Sequence, residues 1–322
     1  MLSEFDLIKQ YFVRNRPGKA TLGIGDDCAL LTPTAGAQLA ISTDMLVENR
    51  HFFAGADARC LGHKALAVNL SDLAAMGATP LAFTLALAMP KADPHWLQGF
   101  STGLFELADL YGCELIGGDT TRGPLNICIT VFGELAPGQA LRRSGAQAGD
   151  DIWVSGTLGD ARLTLAGLRD EFPIDQDSLA LASPRMHLPD PRIALGHALA
   201  SGGLAHAALD ISDGFVGDLG HILAASRVGA TVNVDALPAG PALAAQATSI
   251  RRQFCAQGGD DYELCFTADP ARREAILSAA AACGTPVTLV GQIELAPGLR
   301  LVDGIGTAVD LDAAGFDHFA LP

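Results

Sequence analysis

The chain has 322 residues, 49% hydrophobic and 18% charged, with 36 acidic against 21 basic side chains and a formal charge of −15. This composition belongs to a globular chain rather than a disordered one, and the acidic balance argues against a nucleic-acid surface, which needs clustered Lys and Arg to displace counterions. At about 100 to 200 residues per domain, the length predicts two domains.

The opening "MLSEFDLIKQYF" places acids in its first turn and has no basic flank leading to a long apolar run, so it does not read as a signal peptide. "TLGIG" and "QLAIST" are short strands, and residues 57–77 form an Ala/Leu-rich helix pattern stopped by Gly77. Pro80 to Met89 reads as a strand, too short to cross a bilayer as a helix. In "DPHWLQGFSTGLFELADLYG", Trp96, Phe100, Leu104 and Leu107 fall at helical spacing, with Asp93 as cap and Gly112 as stop. "CELIGGD" and "LNICITVFGEL" are strands.

The turn-rich "LAPGQALRRSGAQAGDD" then marks a boundary between domains 1–138 and 139–322. Beyond it, "DIWVSGTLGDARLTLAGL", "HAALDISDGFVGDLGHILAAS", "GATVNVDAL", "DDYELCFTADPARREAILSAAAACG" and "TPVTLVGQIE" supply a second set of strands and helices. The alternation predicts α/β or α+β layers in both halves. Seven cysteines without a CxxC pair predict buried thiols in the reducing cytoplasm, with no disulfide and no zinc. "NLSDLAAMG" (69–77) and "DISDGFVGD" (210–218) each place Ser-Asp beside a helix pattern, which reads either as an internal repeat or as shared strand-to-helix turn chemistry.

Asp26, Asp27, Asp44, Asp72, Asp119, Asp210, Asp213, Asp260 and Asp261 stand at the edges of apolar segments. Singly each suits a helix cap, the role assigned to Asp93 and Asp190. Gathered at converging element ends they would repel by roughly 1 to 4 kcal/mol per close pair. A divalent cation removes that conflict, and an all-oxygen donor set selects Mg²⁺ or Mn²⁺. Neither the dinucleotide fingerprint nor the Walker loop occurs. "GGD" (117–119) and "GGDD" (258–261) are the segments where missing side chains would let a phosphate approach the backbone.

In this order, "GIGDDCALL", "AISTDMLVENRHF", "KALAVNLSDLAAMGATP", "LIGGDTTRG", "RRSGA", "LDISDGFVGDLGHI" and "GGDDYELCF" resemble the thiamine-monophosphate kinases of the bacterial ThiL type, within the aminoimidazole ribonucleotide synthetase superfamily. The resemblance covers nearly the whole chain, and "NRHF" with the closing "GFDHF" favours this member. It implies a two-domain PurM-like fold: an N-terminal α/β domain that binds ATP and Mg²⁺ and dimerises, and a C-terminal α/β domain that completes the site. The implied reaction is ATP-dependent phosphorylation of thiamine monophosphate to thiamine diphosphate, by a cytoplasmic homodimer using several Mg²⁺ ions, without nucleic acid or membrane. By motif, the metal ligands would be Asp27, Ser42, Thr43, Asp44, Asp72, Asp119, Asp210 and Asp213. Gly118, Asp119, Arg143 and Ser212 would contact ATP, and His51, Asp260 and Phe316 the thiamine substrate. Close relatives resemble "GGEDYEL" where this chain has "GGDDYEL", so a shorter acid stands at 260; Phe316 keeps stacking but offers no hydrogen bond.

The implied chemistry suits these residues. A phosphate monoester is already largely ionised at pH 7, so its oxygen needs no general base. Transfer then depends on in-line positioning and charge neutralisation, carried by Asp44, Asp72 and Asp119 through metal and by Arg143 as the cationic clamp. The alternative is another small acceptor within the superfamily. A calcium-binding module is disfavoured because no D-x-[DN]-x-[DN]-G loop occurs.

Overall fold

The computed structural model describes residues 3–14 and 18–311. They form two compact units: one takes residues up to Leu73 and Ala78–Gly138, the other Ala74–Gly77 and residues from Gln139 onward. Phe316 and the "GFDHF" segment lie outside the described residues.

The first unit begins with helix α1 (Glu4–Tyr11), whose Ser3 cap and Asp6 form a capping box. A small antiparallel hairpin of β1 (Ala20–Leu22) and β2 (Leu30–Leu31) follows. Then come β3 (Gln38–Val47), α2 (Ala58–Met76), β4 (Thr79–Met89), α3 (Pro94–Leu110), β5 (Glu114–Arg122) and β6 (Asn126–Leu135). The four long strands make one sheet in the order β3-β6-β4-β5, antiparallel except for the parallel β4–β5 pair. Leu66, Leu70 and Leu73 of α2 are buried at i, i+4, i+7 spacing, together with Phe83, Phe100 and Leu104. Asp93 caps α3 by accepting the His95 and Trp96 N–H groups, and Trp96 stacks on Phe100 at 4.9 Å.

In the second unit β7 (Asp151–Ser155), α4 (Asp160–Leu168), α5 (Gln176–His187), α6 (Ile193–Ser201), β8 (Ala207–Ile211), α7 (Phe215–Ser226) and β9 (Gly229–Asn233) come first. The short α8 (Pro241–Ala244), α9 (Thr248–Gln257), β10 (Glu263–Ala268), α10 (Arg273–Ala282), β11 (Val287–Glu294) and β12 (Gly298–Val302) complete it. The sheet order is β12-β9-β11-β7-β10-β8, with only β12–β9 parallel. Side chains alternate between two cores. Ile152, Val154, Leu209 and Ile211 pack with α4 and α7, while Trp153, Leu264 and Phe266 pack with α6, α10 and the segment Ala74–Gly77. Covered on both faces, β7, β8 and β10 are buried at every position.

Three sequence expectations change. Ser71-Asp72 lies well inside the 19-residue helix α2, whereas Ser212-Asp213 precedes α7, so the two segments share no turn chemistry. Asp190 does not cap α6: the cap position is Arg192, and Asp190 instead pairs with its guanidinium at 2.6 Å. Of the seven free thiols, Cys113, Cys255 and Cys265 are buried, but Cys28 is exposed in the loop between β1 and β2. Among the described residues no helix is long and apolar enough to cross a membrane.

Candidate active site

Strand β3 sorts its three candidate ligands by alternation. Ser42 and Asp44 share one face and Thr43 takes the other. On the first face lies α2: the Ser42 hydroxyl donates to the Asp72 carboxylate, and the Asp44 N–H donates to Asn69 Oδ1 at 3.1 Å. Asn69 is held in turn by its bond to the Ala65 carbonyl. Thr43 Oγ1 instead meets Thr130 Oγ1 of β6 at 2.8 Å, so its hydroxyl does not join Ser42 and Asp72. Beyond the strand, the Val47 N–H donates to His51 Nδ1 at 3.0 Å. That bond fixes the tautomer: Nδ1 is the acceptor, and Nε2 carries the proton.

A second group of acids lines a cleft of about 550 Å³. Asp26 and Asp27 enter from the β1–β2 turn, and Gly117, Gly118 and Asp119 from β5. Asp26 spends its carboxylate on the turn, accepting the Asp27 N–H at 2.9 Å, which leaves Asp27 as the acid that the turn does not itself employ in this bond. Gly118 has φ +143°, and a Cβ there would lie 1.9 Å from the Leu85 carbonyl oxygen of β4. Its bare backbone is therefore demanded by the neighbouring strand as well as suited to a phosphate. At Gly117 the nearest atom to such a Cβ is 3.8 Å away.

The two acidic groups do not converge within one chain. Asp44 and Asp119 sit on the two edge strands of the sheet, near one register line, with β6 and β4 between them. Three strand spacings separate such positions by about 14 Å. Correspondingly, among the described residues no three His, Cys, Asp or Glu side chains lie close enough to hold a metal ion. The expected gathering of carboxylates is thus absent from the described residues of the single chain; for Asp44 and Asp119 the reason is strand order, which alternation along the sequence does not reveal. The donor chemistry itself, carboxylates with a serine hydroxyl, fits a hard cation.

In the second unit, Asp210 lies one residue before the end of β8 and is 8% exposed, and the Ser212-Asp213-Gly214 turn leads into α7. Asp218, one turn into the helix, accepts the N–H groups of both Ser212 and Asp213 at 3.0 Å. Burial pushes its carboxyl up to about 6; the two N–H bonds oppose this and the nearby Asp213 charge adds to it. The "GGDDY" turn folds back on the same loop, with the Asp260 N–H on the Ser212 carbonyl and the Tyr262 N–H on that of Ile211, both 2.8 Å. Tyr262 hydroxyl also donates to Asp260 Oδ1 at 3.1 Å. Ser212, Asp213 and Asp260 are thereby one constellation. Gly259 permits it, since a Cβ there would meet the Ser212 carbonyl at 2.6 Å.

Arg143 is elsewhere in this unit. Its carbonyl accepts the Ser226 hydroxyl at the end of α7, and the Arg142 carbonyl accepts the Ala208 N–H at the start of β8. Arg143 and Ser212 therefore mark opposite ends of β8, about 13 Å apart at strand rise. Two buried features escaped the sequence reading: Asp218, and the ion cluster of Glu263 with Arg185 and Arg192. A glutamate inside the apolar run "YELCF" was the available signal for the second.

The chain also matches known proteins. Residues 25–135 match the AIR synthase related protein N-terminal domain, and residues 147–304 the corresponding C-terminal domain. Thiamine-monophosphate kinase of Salmonella typhimurium is 47% identical over 324 residues, covering 99% of both chains. The chain belongs to the thiamine-monophosphate kinase family. The crystal structure of the Stenotrophomonas maltophilia member superposes with a TM-score of 0.84 at 45% identity, over 90% of this chain and 92% of that one. AaThiL, solved in complex with AMPPCP and TMP, superposes with a TM-score of 0.76 at 28% identity, over 89% of each chain. The two-domain PurM-like α/β fold expected from the resemblance is the fold of this family.

Proposed function

We propose that the chain transfers the terminal phosphoryl group of ATP to thiamine monophosphate, giving thiamine diphosphate, as a cytoplasmic homodimer assisted by several Mg²⁺ ions. The observation that carries this reading is the near-complete match to thiamine-monophosphate kinase, 47% identical over 99% of both chains. The acceptor phosphate oxygen attacks in line without a general base, being already ionised. Asp27, Ser42, Asp44, Asp72, Asp119, Asp210 and Asp213 would hold the cations; Thr43, whose hydroxyl meets Thr130, stands on the opposite face of β3. Bound Mg²⁺ would neutralise the phosphate oxygens and fix their orientation. The first domain, 1–138, takes ATP along Gly118 and Asp119. Arg143 and Ser212 of the second, 139–322, reach different parts of the nucleotide, because they stand at opposite ends of β8. His51 offers Nε2–H to the thiamine substrate, and Asp260 its carboxylate.

The same sheet supports the homodimer reading. β3 exposes Leu39 (45%), Ile41 (60%) and Met45 (52%) on the face away from Ser42, and both β3 and β5 are edge strands. Unpaired edges invite a second copy, and a two-fold arrangement with each β3 beside the other chain's β5 closes the strands without an edge. Asp119 of one chain then approaches Asp44 and Asp72 of the other. If so, Asp44→Asn and Asp119→Asn proteins, each inactive alone, recover about a quarter of wild-type activity after subunit exchange, since half the dimers carry one intact site. No recovery from an exchanged mixture would place both acids in one chain's site.

The reaction is tested by ³¹P NMR of the protein with ATP, MgCl₂ and thiamine monophosphate, repeated with EDTA. A thiamine diphosphate resonance that needs metal supports the proposal. Its absence from folded protein in both samples rejects thiamine monophosphate as acceptor.

A further inference from the structure

The turn that carries Asp260 contains two non-glycine residues in left-handed backbone, Asp260 at φ +68° and Tyr262 at φ +50°. Such conformations persist where their surroundings over-determine them. Here the Asp260 and Tyr262 N–H groups are tied to the loop before α7, and the fully buried Asp261 carboxylate accepts the Gly159 N–H at 2.9 and 3.0 Å. The carbonyl of Asp261 remains, and Arg185 Nη2 donates to it at 2.9 Å. The same nitrogen lies 2.6 Å from Glu263 Oε1. Glu263 has no solvent exposure and is gripped from three sides, by Arg192 Nε at 2.7 Å, Arg192 Nη2 at 2.5 Å and the Ser155 hydroxyl at 2.6 Å.

We infer that Arg185 is a positioning residue for the acceptor substrate: anchored on buried Glu263, it fixes the Asp261–Tyr262 peptide and so presents the Asp260 carboxylate. The inference rests on the reading of Asp260 as a substrate contact. An arginine is suited to the task because the two Nη2 hydrogens lie in the guanidinium plane and serve the two acceptors in fixed directions, whereas a lysine ammonium on a shorter stem can keep the charge pair but not both geometries.

The test compares Arg185→Lys with two other variants. Arg185→Lys is expected to raise KM for thiamine monophosphate about tenfold, with kcat and KM for ATP within about twofold, and to speed amide exchange across residues 258–262. Arg273→Met is the control for simple destabilisation. It strips the guanidinium from buried Asp151 at the other end of β7 and should lower Tm without moving either KM. Asp260→Asn tests the underlying reading and should raise KM for thiamine monophosphate.

Unchanged exchange at 258–262 in Arg185→Lys overturns the positioning role whatever the kinetics. Faster exchange with KM unchanged in both Arg185→Lys and Asp260→Asn overturns the substrate reading instead. Equal rises in both KM values, shared with Arg273→Met, reduce Arg185 to a stability contact.

Discussion

Asp72→Asn is expected to lower kcat by about a hundred- to a thousandfold, the scale on which removal of one preorganised electrostatic group acts, while the protein stays folded. Asn keeps the size of Asp and an oxygen able to accept the Ser42 hydroxyl, so the packing of α2 against β3 survives. What disappears is one negative charge: on the proposed reading, a carboxylate that would gather Mg²⁺ against two polyanionic substrates becomes a neutral amide. Steady-state turnover with ATP, Mg²⁺ and thiamine monophosphate, alongside a melting curve, separates the two effects. A near-normal kcat would remove Asp72 from the cation site, and a collapsed melting transition would make the result a statement about folding.

Gly118→Ala should do the reverse, and mainly harm the fold. The new methyl would sit 1.9 Å from the Leu85 carbonyl oxygen, and φ at +143° is strained for any L side chain. β5 cannot retreat without losing its pairing to β4, which continues on either side from Glu114 to Arg122. We expect a loss of about 3 to 5 kcal/mol, the range of severe steric lesions, and a fall in Tm on the order of 10 °C. Gly117→Ala provides the contrast. It lines the same cleft but meets nothing closer than 3.8 Å, so its stability should stay within about 1 kcal/mol of wild type. Equal destabilisation by both would mean that strand contact at Gly118 is not the cause.

Local patterns carried much of this molecule in the sequence. Asp93 capping α3, Gly77 ending α2 and the strand from Pro80 follow from capping chemistry and periodicity, and all three are present. Long-range order was less legible. Ser42-Thr43-Asp44 reads as one motif on the page, yet the pleat turns Thr43 toward Thr130 and its neighbours toward α2. The acids within β3 and β5 look alike in sequence, but nothing local says that two other strands intervene. Ser-Asp at 71–72 and at 212–213 are likewise similar strings in dissimilar places, because a helix's start depends on what caps it rather than on a dipeptide. The cluster around Glu263 needed chain segments more than 70 residues apart, since Arg185 and Arg192 lie 78 and 71 positions away.

Four residues at the end of α2 have a wider consequence. Ala74–Gly77 belongs to the second unit: the Ala74 carbonyl lies where a Cβ on Gly196 would come within 2.0 Å, and the Met76 carbonyl accepts the Leu141 N–H at 3.2 Å. A fragment starting at Gln139 would lack this piece and open part of its own apolar core to water. The second unit is therefore not a portable cassette: it could be recombined or transplanted intact only together with a stretch of sequence that begins before the boundary its composition suggests.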